Sequence, residues 1–368
     1  MRSFIYEVLP GRIVFGVGAS REKLVGELDR LGARRVLLIA TERERALAEE
    51  LVQPLVDRIV GLFTEVRPHV PVEVAEKARD AAREAGADCL LSIGGGSTTG
   101  TAKAVALETA LPIVAVPTTY AGSEMTPVWG LTEAQRKTTG RSLDVLPKAV
   151  VYDPELTLSL PPFITGPSAM NAMAHCVEAF YAPKANPITS LVAEEGIRAL
   201  VRGVPVAVKS TVDIEGRTET LYGAYLAGAA FAVAGSGIHH EICHVLGGAY
   251  DLPHADMHTV VLPHAVAFNE PAIPEIMERV ARALGGIGER GAAAGLYDLA
   301  KNIGAPTALK DIGMKKEDLN EAVSLVLEKS PEDNPRPVDE ERIRAILEGA
   351  YWGRRPEESH EPIAESRL

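Results

Sequence analysis

Through the first part of the chain, short apolar runs alternate with longer stretches in which apolar positions recur at helical spacing. The runs at 35–40, 61–66, 88–93 and 112–116 are strand-length and rich in Val, Ile and Leu, so they predict buried strands. Between them, 43–55, 72–85 and 99–109 carry the helical period. Strict alternation of strand and helix predicts a parallel sheet covered by helices on both faces. The opening segment 12–18, which ends in Gly16-Val17-Gly18, reads as one more strand beside that sheet.

The pattern changes after Val150-Val151-Tyr152-Asp153-Pro154. From Pro161-Pro162 onward the chain is alanine-rich, with helix-length amphipathic segments at 167–181, 188–201, 218–234, 238–250 and 274–284. These predict an all-helical domain. The expected organisation is an α/β domain over 1–158, an all-helical domain over 159–352 and a polar tail over 353–368.

The chemistry enters at the end of the third apolar run. Ile93-Gly94-Gly95-Gly96-Ser97-Thr98-Thr99-Gly100 passes from strand into helix through three glycines. A helix opened in this way aims unpaired N–H groups and a positive dipole end at one spot, which favours phosphate. Glycine lets the ligand reach the backbone. A second tight element follows at Pro117-Thr118-Thr119-Tyr120-Ala121-Gly122-Ser123-Glu124. Together they predict a dinucleotide site.

A length of 368 residues suggests two domains, and 46% hydrophobic with 24% charged residues is the composition of a soluble globular protein. The net charge of −12 argues against non-specific binding of nucleic acid or anionic membrane. Three cysteines, Cys89, Cys176 and Cys243, cannot build a disulfide framework, which fits a reducing cytoplasm. The start of the chain does not read as a signal peptide, and no apolar stretch is long enough for a membrane span.

Five of the nine histidines, His239, His240, His244, His254 and His258, lie within twenty residues. Residues four apart share a helix face, so Asn171/His175 form one pair and His240/His244 another, with His254 expected in a loop after Pro253. Such convergence resembles a divalent-metal site in a helical domain, although any single helix-face histidine is more often structural. His240-Glu241-Ile242-Cys243-His244 also matches the zinc-peptidase pattern, but Tyr250 stands where a third histidine would be needed. The peptidase reading is set aside, because it leaves the glycine-rich domain without a use.

These motifs resemble the iron-containing alcohol dehydrogenase superfamily over nearly the whole chain, which implies a dehydroquinate synthase-like fold. That fold joins an α/β dinucleotide-binding domain to an all-helical catalytic domain, with the site in the cleft between. The superfamily's metal ligands, an aspartate and three histidines, fall by motif on Asn171, His175, His240 and His254, with His244 beside the nicotinamide. Two departures stand out: Asn171 replaces the aspartate, and Gly100 stands where aspartate is usual. The longer strings at 94–100, 117–127 and 243–255 resemble the maleylacetate reductase branch. That branch reduces the C=C bond of 2-maleylacetate to 3-oxoadipate with NADH or NADPH in aromatic-compound catabolism.

The resemblance implies His175, His240, His244 and His254 as catalytic residues and a homodimer as the assembly. It places the cofactor on Gly94, Gly95, Gly96, Ser97, Thr118, Thr119, Ser123 and Thr41. The dicarboxylate substrate is expected on Asn171, Tyr120 and Lys137, with Arg141 a further candidate; for Lys137 and Arg141 the alternative is solvated loop charge. Thr41 at the strand end neither anchors ribose as an acid would nor repels a 2′-phosphate, so both NADH and NADPH are expected, with Glu42 able to restore some NADH preference. Asn171 removes the anionic ligand, so no tightly bound metal is expected; any ion would take Asn171, His175, His240 and His254. Two other readings are a metal-dependent alcohol or hydroxy-acid dehydrogenase that tolerates Asn171, and a catalytically silent nucleotide-binding protein.

Overall fold

A computed structural model describes residues 3–133 and 136–356; the side chains of residues 134–137 and residues 357–368, most of the expected tail, lie outside the described residues. The chain forms two compact units. The first runs to Phe180 and resumes over Lys184–Gly235; the second takes Tyr181–Pro183 and the chain from Ser236.

The first unit opens with β1 (Arg12–Phe15), α1 (Ala19–Arg30), β2 (Val36–Ile39), α2 (Arg45–Leu51), β3 (Ile59–Phe63) and α3 (Val72–Glu84). It continues through β4 (Cys89–Gly94), α4 (Gly96–Thr109), β5 (Ile113–Pro117), the hairpin β6 (Val128–Glu133) and β7 (Arg136–Arg141), and β8 (Ala149–Tyr152). Six strands form a parallel sheet in the order β1-β8-β5-β4-β2-β3. Side chains alternate between its faces. Leu38, Leu91 and Val114 pack with Leu24 and Leu28 of α1, while Leu37, Leu90 and Ile113 pack with Val74 of α3 and Val105 of α4. Because both faces are covered, the strands read as continuous apolar runs. The β6–β7 hairpin escaped the sequence reading because β6 is only half-buried and β7, Arg-Lys-Thr-Thr-Gly-Arg, has no apolar run.

Helices α5 (Pro162–Glu178), α6 (Pro187–Lys209) and α7 (Ile214–Ala234) complete this unit. Secondary structure changes to helical near 158, but packing divides the chain between Gly235 and Ser236. The reason is that α7 packs on the 3₁₀ turns Ser123–Met125 and Pro154–Thr157 of the sheet half. It also carries Arg217, whose buried guanidinium donates to Thr165 Oγ1 at 2.8 Å and to the Leu160 carbonyl at 2.7 Å.

The second unit contains α8 (Ile238–Tyr250), α9 (His254–Asn269), α10 (Pro274–Ala283), α11 (Ala292–Asn302), α12 (Leu319–Lys329) and α13 (Glu340–Trp352). Ile242 and Leu246 of α8, Val261 of α9, Val323 of α12 and Ile343 and Leu347 of α13 meet in one apolar core. No single helix among the described residues is long and apolar enough to cross a membrane.

Candidate active site

Strand β4 ends at Gly94 with φ +153°, a conformation that favours glycine, and α4 begins two residues later with no side-chain cap. Gly94 pairs with Pro117 at the end of β5, and the Thr118 N–H donates to the Gly94 carbonyl at 3.1 Å. A Cβ on Gly95 would lie 3.0 Å from Thr119 Cγ2. Gly94, Gly95, Gly96, Ser97, Thr118 and Thr119 therefore share one place, at the carboxyl ends of β4 and β5, and Thr41 follows the neighbouring β2. Ligands of open α/β sheets bind at such strand ends, and the uncapped start of α4 suits a pyrophosphate.

Glu44, which sequence reasoning passed over, lies across these ends. Thr41 Oγ1 donates to its Oε2 at 2.7 Å and Thr118 Oγ1 to its Oε1 at 2.6 Å. Glu42, the acid singled out from sequence, is instead exposed and 3.6 Å from Arg45.

The Ser123–Met125 turn is held from inside. Lys103 of α4 is fully buried, and its Nζ donates to the carbonyls of Ser123, Thr126 and Val128 at 2.6, 2.7 and 2.8 Å and to Thr126 Oγ1 at 3.0 Å. Burial lowers its pKa to about 7, against the attraction of Glu124. Glu124 is itself raised by burial and accepts from Tyr152 Oη at 2.8 Å.

Tyr120 is buried, with its hydroxyl accepting from Arg217 at 3.1 Å and its N–H donating to Ser168 Oγ at 3.1 Å. These bonds tie Tyr120 to α5 through Ser168 and to α7 through Arg217. Arg141, offered from sequence for a substrate carboxylate, gives both terminal nitrogens to the Ala232 carbonyl at 3.1 Å. Lys137 is a backbone position of β7 opposite Thr132, and its side chain lies outside the described residues.

Asn171 and His175 sit one turn apart on α5, both buried. Asn171 Nδ2 faces the Ala121 carbonyl at 3.5 Å, which fixes the amide orientation and leaves Oδ1 buried without a hydrogen-bond partner among the described residues. The His175 ring lies against Phe231, centroids 4.4 Å apart, and beside Gly122.

The second unit gathers five imidazoles from α8 and α9. His240 and His244 share a face, centroids 6.0 Å apart. His254 is not in a loop: it opens α9 directly after Pro253, because a proline before the first turn starts a helix without costing it a hydrogen bond. His258, one turn on, lies 4.3 Å from the His254 ring and 4.8 Å from that of His240. His239 Nε2 is 2.9 Å from His258 Nδ1, a hydrogen-bonded pair with both rings fully buried. Burial pushes both far below the ordinary histidine range, so they are neutral. Ligand nitrogens of His239, His240 and His258 lie within 4.8 Å of one another, a grouping without a carboxylate. The cluster was visible in the sequence; the inner pair His239/His258 had been given no role.

A buried neutral histidine also makes stability depend on pH. Burial lowers His264 of α9 from 6.5 to about 4. The unfolded chain binds the proton first, so this contribution is complete above pH 6.5 and is lost as pH falls towards 4, at a scale of about 3 kcal/mol. His239 and His258 act in the same direction. Melting temperature is expected to drop between pH 6.5 and 4, with a shallower drop in His264→Gln; a flat profile would contradict it.

Both halves of the chain match one known family. The iron-containing alcohol dehydrogenase profile matches residues 10–154, and the Fe-containing alcohol dehydrogenase C-terminal profile matches 165–351. The chain is 48% identical to maleylacetate reductase of Burkholderia cepacia, covering 97% of this chain and 100% of that protein. It is 49% identical to that of Sphingobium indicum, covering 96% and 99%. The crystal structure of maleylacetate reductase from Agrobacterium tumefaciens superposes with a TM-score of 0.92 at 45% identity, covering 97% and 100%. The chain belongs to the iron-containing alcohol dehydrogenase family, on its maleylacetate reductase branch.

Proposed function

We propose that the chain reduces the C=C bond of 2-maleylacetate to 3-oxoadipate with NADH or NADPH, and that it does so without a tightly bound metal. The observation that carries the metal-free part is Asn171, whose buried Oδ1 stands one helical turn from His175 where a carboxylate ligand is expected. An amide and imidazoles supply no charge to neutralise a hard or borderline cation, so this donor set holds one less tightly than a set with aspartate, although three histidines suffice for zinc in some enzymes.

The substrate's double bond is conjugated to its ketone. When bound, the nicotinamide supplies hydride to the carbon β to that ketone. The C=C electron pair then moves onto the ketone oxygen as an enolate, and the α carbon takes a proton to give the saturated keto acid. Imidazole N–H groups stabilise such an oxygen and deliver such a proton near neutral pH. We assign these roles to His175, His240, His244 and His254. The cofactor lies on the Gly94–Ser97 turn with Thr41, Thr118, Thr119 and Ser123, and Asn171 contacts substrate. The setting we infer is the cytoplasm, with a homodimer as the assembly.

Exhaustive chelation is expected to leave most maleylacetate reduction intact, as followed by nicotinamide absorbance before and after EDTA. Loss of turnover restored by zinc, iron or manganese would establish the metal-dependent reading instead. Asn171→Asp is expected to raise metal affinity by returning the anionic ligand, without a necessary gain in rate.

A further inference from the structure

We propose that Glu44 sets the cofactor preference, reading the 2′-position of the adenosine ribose and favouring NADH over NADPH. The inference rests on the reading that the Gly94–Ser97 turn holds the dinucleotide. Glu44 is drawn inward from a run of four charged residues, Glu42-Arg43-Glu44-Arg45, whose other members are exposed. Both of its carboxylate oxygens are engaged, one by Thr41 from the β2 end and one by Thr118 from the β5 end. Its Oε2 would lie 2.6 Å from a Cβ on Gly94, so the carboxylate spans the ends of three adjacent strands, β2, β4 and β5.

An ionised carboxylate is an acceptor only. Two threonine hydroxyls fix its orientation and leave lone pairs for further donors, which a ribose diol supplies and a 2′-phosphate does not. A 2′-phosphate would also bring a second anion to a half-buried carboxylate, where salt screens little. The neighbouring cation Arg45 is committed to Glu49 at 2.9 Å and to Glu42 at 3.6 Å, so it does not neutralise Glu44. Thr41, neutral at the strand end, thus acts through the acid that it orients. Preference passes from the residue at the strand end to one three positions later.

The test is Glu44→Gln, with correct folding confirmed by its melting temperature. Two readouts are taken: kcat/KM with NADH and NADPH, and calorimetric binding of AMP against adenosine 2′,5′-bisphosphate to the cofactor-free protein. The NADPH-to-NADH ratio is expected to rise about tenfold or more, the scale of one weakly screened charge pair, with a parallel gain for the bisphosphate over AMP. Glu44→Asp, which withdraws the charge by one methylene, should move both readouts less than the glutamine. An unchanged ratio overturns the inference. Equal gains for both cofactors overturn it too, because the carboxylate would then oppose the shared pyrophosphate rather than read the ribose. Intact NADH binding in a folded Gly95→Val protein would instead remove the dinucleotide from this turn, and the inference with it.

Discussion

Gly95→Val is expected to abolish NADH binding in a protein that still folds. The backbone at Gly95 is extended, with φ −80° and ψ −167°, so a β-branched residue causes no strain there. The obstacle is spatial. The new Cβ would lie 3.0 and 3.2 Å from Thr119 Cγ2 and Oγ1, and its methyl groups would cover the uncapped start of α4. That removes the close approach that a pyrophosphate needs to reach backbone N–H groups. Fluorescence titration of NADH, with circular dichroism to verify folding, measures the effect. Affinity like that of the unsubstituted protein would place the dinucleotide elsewhere.

His240→Ala and His254→Ala are each expected to lower kcat by roughly 10²-fold or more, the scale for a donor aimed at transition-state charge. NADH affinity should change much less, because the glycine turn belongs to the other compact unit. His264→Ala is the control. It removes a buried imidazole from α9, but one that packs on Gly349 of α13, and should lower stability rather than kcat. Steady-state kinetics beside NADH titrations separate the two effects. If both substitutions keep near-normal kcat, His240 and His254 are structural and the proton comes from elsewhere.

Legibility in the sequence followed burial. Val36–Ile39 and Cys89–Gly94 read plainly because helices cover both faces of the sheet and every position is apolar or small. The β6–β7 hairpin is half-exposed, so its sequence carried no such run. The glycine turn was legible because Gly94 adopts a backbone conformation that favours glycine, while a Cβ on Gly95 or Gly96 would crowd Thr119 or Ala121. Glu44 was not, since four alternating charges look alike until the chain direction after Thr41 decides which one turns inward. His239 and His258 were visible as histidines, but their roles depend on the register of α8 against α9. The division of packing at 235 was hidden for a related reason. Composition records where strands stop, whereas Arg217 and its partners decide to which body α5 to α7 adhere.

Lys103 also bears on motion. The Lys103 amine, bonded to four oxygens across Ser123, Thr126 and Val128, joins the start of the segment after Gly122 to the helix that follows the glycine turn. A hydrogen bond contributes about 0.5–1.5 kcal/mol net when counted singly, so lifting this segment would forfeit several at once. A surface loop ordinarily supplies the lid of an enzyme, opening at little cost on the microsecond to millisecond scale. This one is riveted. The Ser123–Val128 segment is thus anchored from inside by α4, unlike such a lid.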